Sequence, residues 1–167
     1  MPKVGDVVIY GTGGVCRIRD KKEECFGGTP REYYILERLS DKDHTTIFVP
    51  VDNAQLIANM QRVLSPDEWE DLRKTLTPFS EAEWPRDGRG KAKRMNELLT
   101  SADRVALVRL ILTVGADLSE HGKLTAAEEN NCLRAASMLY EELSLVFVIE
   151  KDEVIPYLLG RIELSCK

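Results

Sequence analysis

The sequence has few of the residues from which most active centres are built. It holds two histidines and four cysteines in 167 residues, and Cys16, Cys25, Cys132 and Cys166 are scattered with no CxxC pair. That spacing offers neither a zinc site nor a disulfide framework, so free thiols are expected. His44 lies in a polar turn, SDKDHTT, and His121 in a helix-ending HGK, where both read as plain surface. No nucleophile–base pair, carboxylate pair or metal spacing stands out, so neither an enzyme nor a cofactor is expected. GTGG at 11–14 lacks the Lys-Ser/Thr of a phosphate loop and precedes a strand pattern, which makes it a hairpin turn. Long apolar runs are missing too. Nothing approaches the ~18 to 20 residues of a membrane span, and residues 1–20 carry Asp6, Arg17, Arg19 and Asp20 where a signal peptide needs an apolar stretch. A soluble, cytoplasmic protein with no membrane partner is the expectation.

What is present falls into two halves, an α+β chain of two domains. Over residues 4–53, short apolar runs (Val7–Tyr10, Val15–Arg19, Tyr33–Leu39, Thr46–Val49) alternate with the turn signals GTGG, FGGTP and SDKDH. Four or five short strands without an intervening helix suit a small SH3- or Tudor-like antiparallel barrel, placed at residues 1–60. Residues 61–82 read as a helix and connector. Ser65-Pro66-Asp67-Glu68 is a capping box, so a helix should run about 66–76, with Trp69, Leu72 and Leu76 on its packed face. Residues 83–167 then read as an all-α bundle of four helices. The first runs about 89–100. Ser101 is the N-cap of a helix about 102–120, and Thr125 to Glu128 is a second capping box opening the third. Val146 to Ile149 extends a helical pattern, and a last short helix at about 151–160 has Pro156 as its weak point.

One stretch concentrates charge against the overall balance. Residues 84–95 hold Arg86, Arg89, Lys91, Lys93 and Arg94 against Asp87 alone, a net +4 in a chain that totals -5. Trp84 stands at their head. Pro85, Gly88 and Gly90 break any helix through it, so the ring is expected on a loop or at a helix start, where it need not be buried. Cations for phosphate beside a flat apolar ring suit nucleic acid, although a basic run is commonly a solvated face and a tryptophan commonly core.

Read together, the chain resembles the CarD/CdnL family of bacterial transcription regulators over about residues 4–160. The matching residues are V-G-D-x-V-x-Y with its Gly-rich turn (Val4 to Gly14), Y-Y-x-L at 33–36 and F-V-P-V-D-N-A at 48–54. L-S-P-x-E-W at 64–69, W-x-R-D at 84–87, A-K-R-x-x-E-L-L-x-S-x-D at 92–103 and L-Y-E-E-L at 139–143 complete the set. The resemblance implies a non-enzymatic protein whose amino-terminal module, similar to the polymerase-interacting domain of the transcription-repair coupling factor, docks on the RNA polymerase β subunit. It also implies that Trp84 wedges into the minor groove of promoter DNA at the upstream fork junction, with Arg86, Arg89, Lys91 and Lys93 on the backbone.

For the docking surface, strand alternation turns Ile47 and Val49 to the core and Thr46 and Phe48 outward, unless a shifted register makes Phe48 core. Family members carry a basic residue at Phe48 and often near Glu24, so apolar burial would here replace a salt bridge. The sequence-level expectation is therefore a monomeric, polymerase-tethered regulator that stabilises the open promoter complex without base-sequence specificity. The alternative is a protein-interaction adaptor on polymerase with no direct DNA contact.

Overall fold

A computed structural model describes residues 1–167 and divides into two compact units, Met1–Val63 and Leu64–Lys167. Of the helix and connector expected as a separate segment at 61–82, residues 64–82 fall in the second unit, where Leu64, Trp69, Leu72, Leu76 and Phe79 all pack on its core, and 61–63 fall in the first. No helix is long and apolar enough to cross a membrane.

The first unit is a five-stranded antiparallel sheet in the order β4-β3-β2-β1-β5. Its strands are β1 (Val7–Tyr10), β2 (Val15–Cys25), β3 (Pro30–Arg38), β4 (Thr46–Pro50) and β5 (Met60–Arg62), with a short helix α1 (Ala54–Ala58) before the last. The sheet does not close into the expected barrel. Its two end strands, β4 and β5, share no hydrogen bonds, and α1 lies between them in the chain and near both. A register shift between Ile18 and Asp20 bulges β2 at Arg19, and Val8, Cys16, Ile18, Tyr34, Leu36 and Val49 fill the core face.

In the second unit, each long helix starts with a side chain that takes up the free N–H groups of its first turn. Ser65 and Glu68 form the capping box of α2 (Pro66–Thr75), and Thr125 and Glu128 that of α5 (Ala126–Val146). Asp87 caps α3 (Gly88–Ser101) by accepting from the Gly90 N–H. For α4 (Arg104–His121) the cap is Asp103 and not the expected Ser101. Ser101 is still helical, its hydroxyl donating to Leu98 O at 2.7 Å, and Ala102 breaks the helix with a left-handed φ of 50°.

After α5 the expected continuation of helix also fails. Phe147 and Val148 form a strand, β6, paired with β7 (Ser165–Cys166), and the partner strand makes extended backbone the better-bonded choice. The last helix is shorter than expected: a 3-10 turn at Lys151–Glu153 leads into α6 (Val154–Leu158). It lies close on α4, where a Cβ on Gly115 would come within 2.7 Å of Leu159 Cδ2. Trp69 is fully buried at the centre, as its helical spacing required.

Candidate functional site

The outward face of β4 comes first. Thr46 is exposed and Phe48 is 39% exposed, while Val49 is fully buried, which removes the shifted register. Opposite Phe48 in the ladder stands Ile35, and on the same face lies Tyr33; both are buried, yet both alternate with the core residues Tyr34 and Leu36. This sheet is therefore apolar on two faces. The second face is roofed by Phe48 and by Phe26 from the β2–β3 turn, with ring centroids 5.1 Å apart, and each roofing ring also sits edge-on to Tyr33. Phe26 is 56% exposed. Two phenyl rings in water beside an edge strand with unpaired backbone groups make a surface that gains from being covered. Phe26 and Tyr33 were missed in the sequence. The signal was there, since four consecutive apolar residues at 33–36 cannot all point to one side of a strand.

The basic stretch is placed differently from the expectation. Trp84 does lie just ahead of α3, but it is only 8% exposed and belongs to the core cluster of the second unit. Its ring stacks on Phe79 with centroids 5.8 Å apart and planes within 6°. The reason is a turn that the sequence also announces: Ser80 and Glu83 are a capping pair, with Ser80 N–H donating to Glu83 Oε2 at 2.8 Å, and Ser80 O accepts from both Glu83 and Trp84 N–H. That single helical turn, stopped by Pro85, swings the indole back over Phe79. The ring, expected where it need not be buried, is thereby placed in the core. The indole N–H is buried without an acceptor, as is that of Trp69, an omission that typically costs about 1–3 kcal/mol.

The cations divide by helical geometry. Arg86, Arg89 and Lys93 are exposed, and Arg89 and Lys93 share one side of α3, four residues apart. Lys91, two positions from each, points the other way. Its ammonium reaches Asp117 at 3.2 Å and Glu128 at 3.4 Å with the side chain 20% exposed. Burial alone would lower its pKa, but the two carboxylates hold it above the ordinary lysine value. Glu128 is displaced downward in turn: burial opposes the shift, and hydrogen bonds from Thr125 and Lys91 outweigh it. Lys91, expected on a phosphate backbone, is here paired within the unit, where it fastens α3 to α4 and α5. Arg86 pairs with Glu81 at 3.1 Å with both side chains fully in solvent, a contact worth little and easily exchanged.

Two further arginines, Arg94 and Arg109, stand over Phe79. Arg109 lies 4.1 Å from the ring centroid and Arg94 5.3 Å. Arg109 also donates to Thr77 O at 3.1 Å, Pro78 O at 3.4 Å and Glu83 Oε2 at 3.1 Å. Glu83 is correspondingly held below the usual carboxylate range, first by Ser80 and then by Arg109. No spacing signal marks Arg109, because it meets the connector only through tertiary packing.

No curated protein matches the chain. Residues 3–64, nearly the whole of the first unit, match the family model of the CarD-like/TRCF RID domain. Domains of that family interact with RNA polymerase in transcription, and the two-faced sheet with its uncovered edge lies within the matched residues. Over residues 3–64 the chain is thus similar to the CarD-like/TRCF RID domain.

Proposed function

We propose that the protein is a transcription regulator that docks on the β subunit of bacterial RNA polymerase through β4 and, held there, stabilises the open promoter complex without reading base sequence. The observation that carries this is the exposed pair Phe26 and Phe48 beside the unpaired edge of a polymerase-interacting domain. Strand addition supplies main-chain affinity, and the outward side chains Thr46 and Phe48 supply selectivity. From that position Arg86, Arg89 and Lys93 engage the backbone of DNA at the upstream edge of the bubble.

Magnitudes decide how much the DNA contact does alone. Two or three phosphate contacts give a weak, salt-sensitive affinity, and the chain's overall -5 opposes it. Tethering to polymerase makes the same contact effectively intramolecular. Trp84 obeys a similar rule. Base stacking on an aromatic returns about 1–3 kcal/mol, whereas emptying a large aromatic site in a core costs about 3–5 kcal/mol. On closed duplex the indole therefore stays packed, and a wedge forms only at an already opened step.

The test is promoter melting with the cognate polymerase. Arg89→Glu with Lys93→Glu should reduce open-complex lifetime several-fold while polymerase retention is unchanged. A second reading, an adaptor that touches only protein, is favoured by the burial of Trp84 and the internal pairing of Lys91. It wins if the double substitution leaves melting untouched and only β4 variants abolish the effect.

A further inference from the structure

We propose that Arg109 is the latch that holds Trp84 in the core, and that a DNA phosphate opens it by taking the guanidinium. The inference rests on the DNA-contacting reading above. Between the end of α2 and the start of α3, residues 76–87 form a strap whose regular structure is the one turn at Ser80 to Trp84. The strap is fastened to α4 at two residues. Phe79 N–H donates to Thr113 Oγ1 at 2.8 Å, and Arg109 does the rest, gripping Thr77 O, Pro78 O and Glu83 and covering the outer face of Phe79.

Three properties make this attachment exchangeable. The Arg109 side chain is 24% exposed, so its outer N–H groups are reachable. Its partners are two neutral carbonyls and one solvated carboxylate, whereas a phosphate offers charged oxygens in the geometry a guanidinium prefers. The strap carries Glu81, Glu83 and Asp87 against Arg86 alone, a net -2, so an approaching phosphate repels the strap as a whole while competing for its clasp.

The indole also has somewhere to go. Both tryptophans bury an unpaired N–H, but Trp69 has no exposed surface and lies within α2, while Trp84 keeps an edge at the surface of the strap. The minor groove over A·T pairs shows only acceptors, and it would satisfy the N–H that the core leaves bare.

The full chain labelled with 5-fluorotryptophan gives one ¹⁹F resonance per indole, and the shift between H₂O and D₂O reports exposure of each. In the wild type neither resonance should move. In Arg109→Ala, Trp84 should gain the solvent isotope shift while Trp69, an internal check on the fold, keeps its position. Adding a short duplex with a melted end should produce the same change at Trp84 in the wild type at low salt, and 0.5 M salt should reverse it.

An Arg109→Ala protein whose Trp84 stays shielded overturns the latch, as does a melted duplex that binds without moving that resonance. Should Arg109→Ala unfold the unit, seen as a shift at Trp69 as well, Arg109→Lys takes its place under the same criterion, since lysine keeps the charge but cannot span two carbonyls. Failure of the functional reading looks different: Trp84 is then freed in the variant, yet open-complex lifetime on polymerase does not rise.

Discussion

In residues 1–63 the rings of Phe26 and Phe48 stand in solvent on a sheet with equal numbers of acidic and basic side chains, whereas residues 64–167 hold both indoles inside and carry the entire net charge of -5. The contrast separates two uses of an aromatic side chain. A ring left in water contributes little to folding, and its apolar area is available to a partner. A ring at zero exposure is part of what keeps the unit folded. Substitutions in the two units should therefore fail in different assays.

The largest effect tests the buried side. Trp69→Ala should destabilise the second unit by about 3–5 kcal/mol, seen as a lower midpoint of its chemical unfolding transition, with the first unit's transition unmoved. A loss under 1 kcal/mol would erase the contrast. The exposed side comes next. Phe48→Glu and Phe26→Glu should each cut retention on the polymerase β subunit about tenfold or more, roughly 1.4 kcal/mol, while leaving thermal unfolding within about 0.5 kcal/mol of the parent. If either variant unfolds the sheet, its ring is structural and the surface argument fails.

The smallest effect is electrostatic. Glu70, Glu83 and Glu128 in the second unit have depressed pKa values: at Glu70 chiefly through Arg73, at Glu83 through Ser80, and at Glu128 through Thr125 and Lys91 against an opposing burial effect. In the first unit Asp41, in an exposed turn, is lowered, chiefly by Thr45. A depressed carboxylate confers stability that is fully present above its ordinary value of 4.5 and drains away as pH falls through the folded-state value. Acidification from about pH 5 to about pH 3 should lower the melting temperature of the second unit more than that of the first, and Glu128→Gln should flatten part of that difference.

The parts of the structure set by neighbours in sequence were legible there. The strands at Val7–Tyr10 and Thr46–Pro50, the caps at Ser65 and Thr125, the outward Phe48 and the buried Trp69 all follow from alternation, helical spacing or a capping pair. Lys91 was legible in principle, because two residues along a helix from Arg89 means the opposite side. A count of charge alone does not assign it to a face. Trp84 failed for a related reason: Pro85 and the glycines excluded a long helix, but the Ser80–Glu83 pair permits one turn, and one turn is enough to bury the ring. Arg109, the open seam of the sheet and the pairing of β6 with β7 depend on residues far apart in the chain, and nothing local encodes them.

The border between the two units is chemical as well as spatial. Leu64 gives its backbone N–H to Glu142 Oε1 at 3.1 Å, and Arg104 Nη2 meets the same oxygen at 2.6 Å, deep inside the second unit. Dissection of the chain thus has one tolerant position, ahead of Leu64. A fragment cut a few residues later would begin without a donor that this carboxylate needs and without Ser65 to start α2. Its misbehaviour would then report on the cut, and not on the folding autonomy of the bundle.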